Sequence, residues 1–117
     1  MQPSKRALVV SFMLAGCGTS VSYAPMNSPP HKLYKRQPDT VEMFITKAPG
    51  RAYREVGVLE AQQNPGSFDD MQDIMTAMRV EAARRGCDGV VVTGSANAMF
   101  QSHMQQGYRG SCIVYED

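Results

Sequence analysis

The sequence predicts an α+β fold in which a four-stranded sheet, in β-β-α-β-β order, carries one helix packed on one face. Three observations predict it. Two β-rich stretches precede a break at residues 64–66, an apolar pattern of helical period follows, and two further β-rich stretches end the chain. A single sheet covered by a helix is a simple arrangement that gives a chain of this size one hydrophobic core.

The two N-terminal strands are predicted on either side of a turn. Residues 41–47 alternate apolar and polar side chains except at Phe44, and they end at the turn sequence Ala48-Pro49-Gly50. Residues 53–60 form the second predicted strand. Within it, Gly57 indicates a β-bulge or a close approach of another group to the backbone.

The helix is predicted from an apolar stripe whose side chains recur at helical spacing. The stripe consists of Met71, Ile74, Met75, Met78 and Ala82. Ser67 is the predicted N-cap, and Asp70 three residues later completes an imperfect capping box. Gly86 is the residue type that commonly ends a helix in the left-handed conformation, so the helix is expected to end just before it.

The last two strands are separated by a polar stretch. Residues 87–93 are rich in β-branched side chains without polar alternation, which is typical of a strand buried on both faces. Residues 95–106 are predicted to be flexible. Residues 108–115 form the final predicted strand.

The N-terminus has the pattern of a secretory signal peptide. Lys5 and Arg6 precede an apolar run at residues 7–14, far shorter than the roughly 20 residues needed to cross a bilayer. The run leads into Leu14-Ala15-Gly16-Cys17, which resembles the bacterial lipobox. The resemblance implies removal of residues 1–16 and attachment of diacylglycerol and an N-linked acyl chain to Cys17. The alternative interpretations are an ordinary signal peptide and a buried N-terminal strand with an incidental cysteine.

Residues 17–38 are predicted to be a disordered, proline-rich tether that joins the lipidated Cys17 to a domain at residues 39–117. In similar lipoproteins, aspartate after the cysteine commonly retains the protein in the inner membrane. Gly18 therefore implies an outer-membrane lipoprotein whose domain faces the periplasm. The basic residues 31–36 are either a solvated part of the linker or a contact with anionic lipid headgroups or an acidic partner.

Composition and motifs exclude several function classes. The formal net charge is +1, and removal of Lys5 and Arg6 leaves the mature chain close to neutral, so no strong field attracts nucleic acid. The sequence has no glycine-rich phosphate loop, no closely spaced cysteine-histidine motif and no complete nucleophile elbow. We therefore expect a non-catalytic protein whose only cofactor-like group is its lipid.

Three short motifs carry a resemblance to a known family. They are Phe44-Ile45-Thr46-Lys47-Ala48-Pro49, then Tyr53-Arg54-Glu55-Val56-Gly57, then Gly86-Cys87-Asp88-Gly89-Val90-Val91-Val92 after the helix. Residues 41–115 resemble small envelope domains that include the outer-membrane stress-sensor lipoprotein of the Rcs phosphorelay and the pentameric YbjQ-like proteins. The resemblance implies stress sensing or maintenance in the envelope. The Rcs sensor has two disulfides in this domain and this chain has only two cysteines there, so its signalling function does not carry over directly.

Cys87 and Cys112 are the cysteines of the predicted domain, and an oxidising periplasm would allow a disulfide between them. Two strand registers are open. If Val92 faces Gly107, the cysteines lie opposite each other and can be bridged. In the other register they are offset by about six residues, or about 20 Å, which is beyond the reach of a disulfide. Each cysteine would then be a small buried core residue.

Met99, His103 and Met104 lie in the predicted flexible stretch and offer thioether and imidazole ligands. This combination suits Cu(I), so a periplasmic metal-binding module is the alternative function. Methionine also serves adaptable protein-binding surfaces, and in a third interpretation the stretch has no role. The expected function is that of a lipoprotein that presents a surface to another envelope protein.

Overall fold

One main sheet and one α-helix form the body of the chain in a computed structural model, which describes residues 18–95, 97–100 and 103–116. The sheet strands are β1 (Thr19–Pro25), β2 (Glu42–Phe44), β3 (Tyr53–Gln63), β4 (Gly89–Ser95) and β7 (Gly107–Tyr115). The other elements are a 3₁₀ turn (Pro38–Thr40), the helix α1 (Met71–Arg85) and the hairpin strands β5 (Ala98–Phe100) and β6 (His103–Gln105). The predicted signal peptide at residues 1–16 and the predicted lipidation site Cys17 lie outside the described residues.

The five sheet strands lie in the order β1-β3-β7-β4-β2. The long strands β3 and β7 are the antiparallel centre, and β1 and β4 pair antiparallel on their outer sides. The short strand β2 is parallel to β4. The predicted combination of one sheet and one helix is confirmed, and the predicted strand count of four is wrong because the sheet has five strands.

The fifth strand comes from the segment predicted to be a disordered tether. Thr19–Pro25 pairs along its whole length with β3, with Val21 opposite Ala61 and Tyr23 opposite Leu59. Val21 and Tyr23 are partly buried against the core, whereas Ser20 and Ser22, which alternate with them, are exposed. This short alternation provides enough apolar contact for an edge strand, so the tether prediction is wrong for residues 19–25.

The polar stretch predicted to be flexible also contains regular structure. β5 and β6 form a two-stranded antiparallel hairpin within residues 95–106. The Gln106 carbonyl accepts a hydrogen bond from the Gln63 N–H at 2.8 Å, which ties the end of the hairpin to β3. Backbone pairing of this kind does not require an apolar pattern, which is why the sequence did not reveal it.

The helix buries Ile74, Met75, Met78 and Ala82 of the predicted stripe but not Met71, and it has a different N-cap. The Asp70 carboxylate accepts a hydrogen bond from the Asp73 N–H at 3.0 Å, and the Asp73 carboxylate accepts one from the Asp70 N–H at 3.1 Å. This reciprocal pair is a capping box, so Asp70 is the cap and the prediction of Ser67 is wrong. Gly86 ends the helix with φ 83°, as predicted.

The core lies between α1 and one face of the sheet. Its fully buried side chains come from the helix (Ile74, Met78), from the central strands (Leu59, Val114, Cys112) and from β4 (Val90). The helix therefore packs on one face of the sheet, as predicted. No helix in the described part of the chain combines the length and apolarity needed to cross a membrane.

A disulfide joins Cys87 to Cys112, with a Cα–Cα distance of 5.5 Å. The strand register is neither of the two considered above, because Cys112 lies opposite Val90. Cys87 precedes β4 and lies in the turn after α1, where its N–H donates to the Ala82 carbonyl at 3.0 Å. The bridge therefore links the end of the helix to the central strand, and it does not need the two cysteines to be cross-strand partners.

Candidate protein-interaction surface

A groove lies between the edge strand β2 and the first half of α1. We call it the edge groove, and it encloses about 110 Å³. Its lining residues are Met43, Ile45, Met71, Gln72, Met75, Thr76 and Arg79. The first two come from β2 and the residue after it, and the other five are helix positions on one side of α1.

No other strand in the described part of the chain pairs with one side of the β2 backbone. β2 is the last strand of the described sheet, and there its strand neighbour is β4. The Glu42 N–H donates to the Asp88 carbonyl at 3.2 Å, on the β4 side. Because successive amides of a strand point to opposite sides, the N–H and C=O of Met43 face away from β4. Such an edge is a template for another extended chain.

The edge groove has polar and apolar lining residues, and two of its apolar side chains are accessible. Ile45 is 47% exposed and Met71 is 42% exposed, which are high values for large apolar side chains. Met43 is partly buried and packs against the core, so the groove floor is continuous with it. A cavity of about 670 Å³ adjoins the groove along residues 43–48 and Gly50. Grouped exposed apolar side chains of this kind commonly mark a binding surface.

Arg79 gives the edge groove a positive charge. Its Nε is buried and has no hydrogen-bond partner among the described residues. None of the described residues that line the groove or the adjoining cavity is acidic, and Lys47 adds a second cation to the cavity. A buried donor without a partner costs about 1–3 kcal/mol, more when it is charged, so an acidic group entering the groove would find a ready partner.

A second recess, of about 430 Å³, lies on the other face of the sheet. Several of its polar side chains form a network of contacts with one another. The Tyr115 Oη donates to Glu42 Oε1 at 2.6 Å, and Arg51 stacks on the Tyr115 ring at 4.0 Å. Asp88 accepts from Arg36 and from the Tyr115 N–H. Burial, helped by the charge and hydrogen bond of Glu42, raises the pKa of Tyr115 to about 12. These mutual contacts support a structural role for the network.

The backbone of the predicted metal-site residues is part of the β5–β6 hairpin. Met99 lies opposite Met104 in the β5–β6 hairpin, and Phe100 lies opposite His103. Met104 is 57% exposed, and the side chains of Met99 and His103 lie outside the described structure. Among the described residues, no three His, Cys, Asp or Glu side chains are grouped as a metal site.

The edge groove was not predicted from the sequence. Met71 and Met75 were assigned to the core stripe of the helix, but Met71 is substantially exposed. The available signal was Arg79, a cation that follows the apolar helix positions 71 and 75 at helical spacing. The sequence could not show that an edge strand would lie beside this row of side chains.

The comparisons with known proteins show the fold only. No family model matches the sequence, and no curated protein matches it. A crystal structure of the Francisella virulence factor FvfA is similar, with a TM-score of 0.56 and 14% sequence identity. The match covers 85% of this chain and 99% of that chain. At this identity the likeness supports a common architecture and carries no activity across.

Proposed function

We propose that this chain is a lipid-anchored protein of the bacterial outer membrane that binds another envelope protein through the edge groove and catalyses no reaction. The observation that carries this proposal is a groove with exposed apolar side chains beside a strand edge that no other described strand pairs with. The lipobox-like sequence ending at Cys17 supports the anchor. The resemblance of residues 41–115 to the stress-sensor family makes stress sensing or envelope maintenance the expected role.

The partner segment has a definite chemistry. It is extended, because the outward N–H and C=O of Met43 can pair with another strand. It carries an apolar side chain that contacts Ile45 and Met71, which are exposed on the two walls. It also carries a carboxylate that pairs with Arg79, whose Nε has no partner among the described residues.

Site-specific crosslinking in intact cells tests partner binding. A photoreactive amino acid replaces Ile45 in the groove or, as a control, Ala24, which is exposed on the opposite edge strand β1. We expect a specific protein adduct from position 45 only. Arg79→Glu should weaken that adduct because it opposes the carboxylate of the partner. Equal adducts from both positions, or none from position 45, would contradict the proposal.

The anchor is tested separately. We expect the mass of the native protein to show loss of residues 1–16 and addition of acyl chains to Cys17. Cys17→Ser should release the protein from membranes, because two or more acyl chains are needed for stable attachment. Recovery of an unacylated protein that retains residues 1–16 would refute the anchor and the proposed compartment.

A copper-binding module is the second candidate function. The observation that favours it is the hairpin register, which places Met99 opposite Met104 and His103 next to Met104. Cu(I) titration of residues 18–117 under anaerobic conditions tests it. Stoichiometric binding that is lost in His103→Ala and kept in His31→Ala would support this module, because His31 is the other histidine of the chain. No binding would exclude it.

A further inference from the structure

The folded sheet begins almost at the proposed lipid anchor. β1 starts at Thr19, and the Gly18 carbonyl accepts the Asn64 N–H at 2.8 Å. The Thr19 hydroxyl donates to the Asp69 carboxylate at 2.7 Å. Consecutive Cα atoms are about 3.8 Å apart, so an acylated residue 17 would be one short step from a fixed point of the domain. The lipid would therefore hold this end of the sheet at the membrane surface.

Phe68 lies at the same end of the molecule. It is adjacent to Asp69, the residue that Thr19 contacts, in the loop that leads into α1. Its side chain is 98% exposed, more than any other large apolar side chain among the described residues. An aromatic ring in this position has no packing role in the domain. Aromatic side chains are common where a protein meets the polar-apolar boundary of a bilayer.

Met104 is a second exposed apolar side chain at this end. It is 57% exposed, and the carbonyl of the next residue, Gln105, accepts from the Gln62 side chain at 3.1 Å. Gln63 lies opposite Thr19 in the sheet, so the β6 strand ends close to the start of β1. Phe68 and Met104 are thus carried by two different segments that both reach the proposed anchor point.

We propose that this end of the domain rests on the lipid surface, with Phe68 and Met104 inserted at the boundary between headgroups and acyl chains. The inference rests on the proposed acylation of Cys17. The helix N-terminus beside Phe68 carries the acidic residues Asp69, Asp70 and Asp73. The contact is therefore apolar, and anionic lipids do not strengthen it.

The basic segment at residues 31–36 lies at the opposite end of α1. The Arg36 N–H donates to the Ala83 carbonyl at 3.0 Å, and Leu33 and Tyr34 approach Gly86 after the helix. A helix of 15 residues extends about 22 Å at the usual rise per residue. In the proposed orientation this segment points away from the membrane, which disfavours the contact with anionic headgroups considered from the sequence.

A tryptophan reporter tests the inference, because the chain contains no tryptophan. Phe68→Trp is introduced into the full-length protein, which is purified in its acylated form and reconstituted into phosphatidylcholine vesicles with brominated acyl chains. We expect its emission to shift to shorter wavelength and to be quenched. Tyr34→Trp is the matched control at a residue that is 69% exposed. We expect its emission to stay at long wavelength without quenching.

The outcomes separate this inference from the proposed function. If mass spectrometry shows the purified protein to be unacylated, the anchor and this inference both fail. If the protein is acylated and the Phe68→Trp emission matches that of Tyr34→Trp, only this inference is overturned. Quenching that appears only when anionic lipid is added would overturn it as well, because the contact would then be electrostatic.

Discussion

At the scale of single residues, Gly57 occupies a position that has no room for a side chain. The strand register shifts between Glu55 and Gly57, which confirms the predicted irregularity. The Tyr23 ring lies over Gly57, and a Cβ there would come within 2.3 Å of the Tyr23 Oη. The Tyr23 hydroxyl donates to the Val56 carbonyl at 3.2 Å, and Arg85 stacks on the ring at 4.7 Å. The ring is therefore held in place from two sides.

Gly57→Ala should destabilise the domain by about 1–3 kcal/mol, because the ring must leave its site. Gly50→Ala is the control, since no atom lies within 4 Å of its added Cβ, and it should change stability by less than about 0.5 kcal/mol. Urea unfolding of residues 18–117 measures both. Equal stability of the two variants would show that the Tyr23 ring does not exclude a side chain at position 57.

Tyr115 predicts a pH dependence in the alkaline range. Its pKa is raised from the ordinary value of 10.0 to about 12, first by burial and then by Glu42. The folded protein therefore holds this proton more tightly than the unfolded chain does. The resulting stability is fully present below pH 10.0 and is lost as the pH rises toward 12.

Phenolate absorbance measures this titration. The transition that disappears in Tyr115→Phe belongs to Tyr115, and we expect it to follow the ordinary tyrosine transition. Glu42→Gln should lower its midpoint, because the variant removes the negative charge beside the phenol. A Tyr115 transition at the ordinary pKa, unchanged by Glu42→Gln, would contradict the described network.

At the scale of secondary-structure elements, the start of α1 depends on the Asp70–Asp73 capping box. Asp70→Ala should cost about 1 kcal/mol, because it leaves the Asp73 N–H without its acceptor. Among the described residues, the Ser67 hydroxyl accepts from the Asp69 N–H, which lies outside the helix, so Ser67→Ala should cost less than about 0.5 kcal/mol. Thermal or urea unfolding compares them. A larger loss of stability in Ser67→Ala than in Asp70→Ala would indicate that Ser67 is the N-cap.

The disulfide connects two elements, the end of α1 and the central strand β7. The bonded cysteines are 25 residues apart, and closure of such a loop stabilises a fold by about 3–4 kcal/mol in the chain-entropy model. We expect the double variant Cys87→Ala, Cys112→Ala to lose about that amount in urea unfolding. An unchanged free energy of unfolding would show that the bridge does not constrain the unfolded chain.

The elements differ in how far the sequence could predict them. The helix has strong periodicity and β4 has many β-branched residues, and both were predicted. β1 was missed because its apolar residues Val21 and Tyr23 form only one short alternation next to several prolines. Its stability comes from pairing with β3, which is a tertiary contact. The disulfide remained an open alternative because Cys87 lies in a turn. Strand register, from which its distance to Cys112 was inferred, does not describe the position of a residue in a turn.

At the scale of the whole molecule, the candidate site depends on which elements become neighbours. The edge groove exists because the sequence-distant β2 lies last in the sheet, beside the N-terminal half of α1. No local pattern in the sequence specifies the order of the strands in the sheet. The same is true of the end that we propose to face the membrane, where the segments that carry Gly18, Phe68 and Met104 lie near one another although they are far apart in sequence. The anchor residue could be proposed from a short motif, whereas the surfaces required the fold.

Amide hydrogen exchange tests whether the β2 edge is where the protein, with its proposed anchor, binds its partner. The full-length protein in envelope membranes is compared with purified residues 18–117. We predict slower exchange at residues 42–46 in the membranes, because a bound strand would pair with the outward Met43 amide, and no change at residues 29–34. Equal exchange at residues 42–46 in the two preparations would contradict the account.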